Sequence, residues 1–267
     1  MPDSTSGYAP SGDARIAYET AGAGQPVIFI HAGIADRRMW DDVLPTLSAR
    51  HRVVRLDLRG FGETPLPDGP FVYAADVRAL LESLGIARAH VVGVSMGGHV
   101  ALDLTLAHPE SVDRLVLCGS GIDGWEHGEG LVAAWEEEEA AFERGDLDEA
   151  AWVNVRTWLD GPARGHDEVD SALRRKVFEM QRLAIAHENP NATGGWLTPS
   201  RREHLRDVRA PTLVLVGELD QPDFARIARF LADEIPGAGF EELPGVAHLP
   251  PLEDPERFAS AVLEFLA

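Results

Sequence analysis

The chain has 267 residues, 45% hydrophobic and 25% charged, with a single cysteine. That length and balance fit one soluble α/β domain, or such a core with an inserted sub-domain, and the lone Cys118 excludes an internal disulfide. A formal net charge of −20, from 44 acidic and 24 basic residues, repels phosphate backbones and anionic lipid, so neither nucleic acid nor membrane is expected as a partner.

The opening stretch, MPDSTSGYAPSGDARIAY, has no basic start followed by an apolar block. No secretory signal is read there, and a cytoplasmic location is the expectation. Short β-branched runs at Ile16–Thr20 and Val27–His31 predict two strands, this first pair antiparallel. A helix is expected over Met39–Ala49, a strand at Val53–Leu56, a helix over Tyr73–Leu84 and a strand at His90–Val94. A helix over Gly97–Ala107 and a strand at Leu115–Cys118 follow. Strands apolar on both faces and alternating with helices predict a mostly parallel sheet covered on both sides.

From Gly119 to Ala210 the alternation stops and no strand pattern is visible. Helical segments separated by Gly, Asp and Pro fill the region, and a structureless loop of that length is improbable in a compact domain. Residues 119–210 are therefore expected to form a packed helical cap, and residues 1–118 and 211–267 the core. The acidic run Glu136–Glu139 reads as a solvated helix face. Trp125, Trp135, Trp152, Trp158 and Trp196 all lie in this insertion. Most are expected to build its own small core, with Trp125, Trp152 and Trp158 as candidates to face a substrate. Beyond it the pattern resumes, with strands at Leu213–Val216 and Phe240–Leu243 and helices over Pro222–Ala232 and Pro255–Leu266.

The chemistry is announced where one strand meets its helix. Gly93-Val94-Ser95-Met96-Gly97 fits G-x-S-x-G, with a strand running into it and a helix leaving it. Such a turn strains the serine backbone and leaves no room for side chains at the flanking glycines. In return, a hydroxyl projects beside a helix N-terminus, where developing negative charge is favoured. A serine needs a base, and the base needs a group that fixes its tautomer. This turn demands the chain order serine, acid, histidine. His248 is the only histidine after the strand that closes the insertion, and is the expected base. His99, one helical turn after Ser95, is assigned to packing or the substrate side. Asp220 follows a strand at its carboxyl edge and is the preferred acid; Glu218 is a weaker candidate and Asp123 an alternative location. For the oxyanion, one N–H comes from Met96 and a second from Gly33 or Ile34, in the loop tied down by His31. His31, Ile34 and Phe61 complete the candidate substrate-binding set. Arg37 and Arg38 either meet a substrate carboxylate or pair with Asp41 and Asp42.

These pieces together resemble the α/β-hydrolase superfamily: His31-Ala32-Gly33, Asp57-Leu58-Arg59-Gly60-Phe61-Gly62, the segment Gly93–Gly98, Gly217-Glu218-Leu219-Asp220 and Gly245-Val246-Ala247-His248. The resemblance covers nearly the whole chain. It implies an α/β-hydrolase fold: a mostly parallel sheet with helices on both faces and an inserted cap. The segment from Gly33 to Pro65, with Ser95-Met96-Gly97-Gly98, is similar to the branch containing 3-oxoadipate enol-lactonases and related esterases. Epoxide hydrolases and dehalogenases carry aspartate where Ser95 stands. The tyrosines Tyr8, Tyr18 and Tyr73 all lie outside the insertion, where epoxide hydrolases use tyrosine. Ring-cleavage C–C hydrolases usually follow the catalytic histidine with tryptophan, where this chain has Leu249. The resemblance thus implies a serine hydrolase of a small ester or lactone, needing neither metal nor organic cofactor. C–C hydrolysis, perhydrolysis and acyl transfer are alternatives on the same triad. A low-turnover receptor and a cofactor-free oxygenase are alternatives on the same fold.

Overall fold

The computed structural model describes residues 4–197 and 201–267. The main sheet comprises β1 (Ser4–Ser11), β2 (Ala14–Ala21), β3 (Pro26–Ile30), β4 (Arg52–Leu56), β6 (Ala89–Val94), β7 (Val112–Cys118), β9 (Thr212–Gly217) and β10 (Gly239–Leu243); β5 (Gly69–Val72) and β8 (Ala192–Gly195) form a separate pair. The sheet order is β1-β2-β4-β3-β6-β7-β9-β10. The helices are α1 (Leu44–Ser48), α2 (Tyr73–Ser83), α3 (Met96–Ala107), α4 (Glu129–Glu143), α5 (Leu147–Asn154), α6 (Ser171–Ala186), α7 (Pro222–Glu234), α8 (Pro250–Glu253) and α9 (Pro255–Leu266).

Alternation along each strand divides the core between the two faces. In β3, Ile28 and Ile30 pack with α2, α3 and α7 through Leu80, Val100 and Ile227. Val27 and Phe29 pack on the opposite side with Leu47 of α1 and Phe258 and Val262 of α9. Strands β3, β4, β6, β7, β9 and β10 are parallel, so their carboxyl ends share one edge. That edge is where ligands bind in open α/β sheets.

Three expectations change. The first pair is not Ile16–Thr20 with Val27–His31: β2 is antiparallel to β1 and to β4, whereas β3 lies parallel between β4 and β6. Strand β1 (STSGYAPS) is polar and carries Gly and Pro, so it shows no apolar run. The helix expected over Met39–Ala49 is two pieces, a 3₁₀ turn at Arg37–Trp40 and α1. Pro45 lacks an N–H and starts the second piece rather than continuing the first. Residues 119–210, expected to be helical throughout, hold a strand, for β8 pairs parallel with β5. Their sequences, ATGG and GPFV, are too short and glycine-rich to register as strands. Among the described residues, no helix is long and apolar enough to cross a membrane.

The joint between β6 and α3 is closed by backbone contact. A methyl on Gly97 would overlap the Ile30 carbonyl, and one on Gly93 would overlap the Gly97 carbonyl. Gly97→Ala is expected to destabilise the fold by about 3 kcal/mol, because rigid backbone must shift to admit one carbon. Urea unfolding of the variant and the parent checks this.

Candidate active site

Ser95 stands at that joint with φ 55 and ψ −116. Among the described residues it is the only non-glycine residue with positive φ. Such a conformation costs on the order of 1–3 kcal/mol and persists only when its surroundings impose it. Here they do: the Ser95 N–H donates to the Cys118 carbonyl at 2.9 Å, and the His99 N–H donates to the Ser95 carbonyl at 3.1 Å. The Ser95 side chain makes no capping hydrogen bond to α3, so its hydroxyl is not serving the helix.

His248 and Asp220 come from loops after β10 and β9. The His248 Nδ1 lies 2.9 Å from both Asp220 carboxylate oxygens, and both side chains are almost wholly buried. The other ring nitrogen, Nε2, is buried with no hydrogen-bond partner among the described residues. Gly119, next to the carbonyl that holds Ser95, has φ +51, and a Cβ there would sit 3.2 Å from the His248 ring and 3.3 Å from Asp220 Oδ2. Cys118 and Gly119 therefore border all three residues. The His248 loop is clamped by Glu253, whose carboxylate accepts the N–H groups of Ala247 and Leu249, each at 2.9 Å. Arg164 donates to the same carboxylate at 2.5 Å. Burial pushes the Glu253 carboxyl up, against the pull of these donors.

Ser95 opens onto a cavity of about 510 Å³. Its walls are Met96 and His99 of α3 and Gly121 and Ile122 of the loop after β7, with His127, Trp135, Trp158, Trp196 and Phe224 around them. Trp158 sits on a π-helical turn, Val155–Asp160, that continues α5. Its ring packs 4.6 Å from that of His248, as does Phe224, and its carbonyl accepts the His248 N–H at 3.3 Å. Gly33 lies beside Met96, a Cβ on it falling 3.5 Å from the Met96 Cβ. Met96 is the first residue of α3, so its N–H has no intrahelical acceptor.

The remaining candidates fall elsewhere. His31 is wholly buried and is not among the residues lining that cavity: its Nε2 accepts the Leu58 N–H at 3.0 Å, so Nδ1 carries the proton and donates to the Ala32 carbonyl at 2.8 Å. Burial lowers its pKa and keeps it neutral. Ile34 is buried in the core. Phe61 lines a different hollow, with Gly33, Tyr73 and Gln181. Trp125 packs on Phe230 with Arg202 above both rings, and Trp152 stacks on Phe178 at 4.5 Å. Arg37 pairs with Asp57 and Glu63, and Arg38 with Asp36. Asp41 and Asp42 are met by Arg55 and Lys176 instead. Glu218 accepts the Gly245 N–H from an exposed position. Asp123 lies 3.1 Å from His99 Nε2 and pairs with Arg201.

His99, assigned from the sequence to packing or the substrate side, lines the cavity, as do Trp135 and Trp196, which lie outside the candidate set. His99 and Phe224 each follow a candidate catalytic residue by one helical turn, and that spacing was the signal available. His127 and Ile122 sit in an irregular segment with no such signal. The His99 pKa is pushed down to about 4 by burial; Asp123 raises it and Arg201 lowers it further. The folded chain then resists a proton that the unfolded chain takes up near pH 6.5, so stability is lost as pH falls through this window. Against His99→Asn, the parent is expected to lose about 2 kcal/mol between pH 7 and pH 5. Denaturant titration of both proteins at the two pH values measures the difference.

The mostly parallel eight-stranded sheet, with a strained serine where its central strand turns into a helix, defines the protein class as an α/β hydrolase. The alpha/beta hydrolase fold family matches residues 25–255, and the chain belongs to that family. It is 30% identical over 274 residues to the 2-hydroxy-6-oxo-6-(2'-aminophenyl)hexa-2,4-dienoic acid hydrolase of Metapseudomonas resinovorans, covering 97% of this chain and 90% of that one. It is 25% identical over 234 residues to 3-oxoadipate enol-lactonase 1 of Acinetobacter baylyi, covering 87% and 85%. The crystal structure of a hydrolase from Pseudomonas aeruginosa superposes with a TM-score of 0.82 at 30% identity, covering 98% of each chain. The protein is thus an enzyme of this fold, as its sequence motifs implied.

Proposed function

We propose that the protein hydrolyses small carboxylic esters or lactones through an acyl-enzyme, with Ser95, His248 and Asp220 as its triad. One observation carries this reading. The buried His248–Asp220 pair leaves Nε2 unpartnered, and its ring packs on Trp158 and Phe224, which line the same cavity as Ser95. Ser95 Oγ attacks the substrate carbonyl while His248 Nε2 takes its proton. Asp220 accepts the hydrogen bond from Nδ1–H and holds the ring in the tautomer that leaves Nε2 basic. The N–H groups of Met96 and Gly33 receive the oxyanion. His248 then protonates the leaving alcohol, and water activated by the same nitrogen releases the acid. Residues 119–210 act as a cap that walls the cavity with Trp135, Trp158 and Trp196.

The 30% identity to a dienoic acid hydrolase favours C–C bond hydrolysis as a second reading. Leu249, where those enzymes carry tryptophan, weighs against it. Turnover of an ethyl ester and of a vinylogous 1,5-diketone, measured side by side, separates the two. The ester is expected to have a kcat/KM at least about 100-fold higher, or about 2.7 kcal/mol in transition-state stabilisation. The reverse preference would establish C–C cleavage.

A further inference from the structure

We propose that the cavity above Ser95 selects uncharged esters or lactones that carry a flat ring, and rejects those that carry a carboxylate. This rests on the acyl-enzyme reading of Ser95 and adds the substrate class. The ring preference comes from the walls. Trp158 and Phe224 meet edge to face at 5.3 Å, Trp196 stacks on His99 at 4.3 Å, and Trp135 meets His127 at 4.8 Å. Trp135 and Trp196 are each 38% exposed, leaving aromatic faces for a ligand. Offset or edge contacts with a substrate ring add to simple area burial.

The charge preference comes from what stands behind those walls. Among the described residues, no lysine or arginine lines the cavity. The guanidiniums around the site are already matched, Arg201 by Asp103 and Asp123, Arg226 by Asp223 and Arg164 by Glu253. Counting Asp220 as well, five carboxylates face three guanidiniums, a net charge of −2 around the site. His99, in the wall, is held neutral by burial and does not offset this. Outside the cavity, Trp135 shares a hollow with Glu138, Glu139 and Glu188. A low-dielectric cleft focuses such a field, and an anionic substrate meets it on entry and again when bound.

The test uses ethyl pentanoate, its near-isosteric anion monoethyl glutarate, and two ring-bearing esters, ethyl hydrocinnamate and 2-phenylethyl propanoate. Binding to Ser95→Ala is measured by calorimetry, and kcat/KM on the parent enzyme. The better ring-bearing ester is expected to exceed ethyl pentanoate, and ethyl pentanoate to exceed monoethyl glutarate, each by about tenfold in both measurements. Trp135→Arg places a cation in the wall and is expected to raise binding of monoethyl glutarate by about tenfold. Binding of the anion to Ser95→Ala as tight as that of ethyl pentanoate would overturn the charge selection. Equal binding of ring-bearing and linear esters would overturn the ring selection. If the expected order held in binding while the parent turned over none of the esters, the hydrolase reading would fail and the selectivity would stand.

Discussion

Ser95→Ala is expected to lower kcat for ester hydrolysis by about 10⁴-fold or more while leaving substrate affinity within about threefold of the parent. The size follows from the chemistry: without the hydroxyl no acyl-enzyme forms, and only transition-state binding by the oxyanion donors remains. Affinity is spared because the ring-bearing walls of the cavity do not depend on the hydroxyl. The fold is also spared. The Ser95 side chain makes no capping bond, and the backbone bonds from Ser95 N–H to Cys118 and from His99 N–H to Ser95 are independent of side-chain identity. Alanine at φ 55 carries strain similar to that of serine, so unfolding free energy is expected to change by less than about 1 kcal/mol. Steady-state kinetics, calorimetry and urea unfolding on one preparation separate the three statements.

Asp220→Asn is expected to lower kcat by about 10³–10⁴-fold without unfolding the chain. Both carboxylate oxygens of Asp220 lie 2.9 Å from His248 Nδ1, and Oδ1 also accepts the Gln221 N–H at 2.7 Å. An asparagine oxygen retained by Gln221 turns the amide NH₂ toward His248. Nδ1 must then accept, and the proton moves to Nε2, where it blocks the base. The same substitution at Asp123 is expected to change kcat for a neutral ester by less than about fivefold, because Asp123 faces His99 and Arg201 rather than His248. The pair of variants, assayed on one ester, decides between Asp220 and Asp123, two of the three positions that the sequence leaves open for the acid.

Much of this was legible before any coordinates because its signals are local. The β6–Ser95–α3 joint is written in five adjacent residues, and the chain order of Asp220 and His248 follows from where strands end. The apolar strands β3, β4, β6, β7 and β9 are buried on both faces, so their composition identifies them. The features that no local pattern encodes depend on distant partners. Strands β5 and β8 have no apolar pattern and exist through mutual pairing across more than a hundred residues of chain. The Glu253 clamp joins α8 to the N–H groups on either side of His248 and to Arg164, 89 residues earlier in the chain, a convergence that no spacing encodes. The tryptophans show the same division. Composition put them in the insertion, but only packing separates Trp152, stacked on Phe178, from Trp158, packed on His248.

The central claim is that Ser95 is the nucleophile, and covalent capture tests it most directly. The enzyme is incubated with a fluorophosphonate, digested, and the modified peptide sequenced by mass spectrometry. One phosphonyl group per chain is expected, attached to Ser95, with loss of ester hydrolysis in proportion to labelling. His248→Ala is expected to slow labelling at least about 100-fold. Inactivation with the label on another residue, or full hydrolytic activity with Ser95 completely phosphonylated, would contradict the claim.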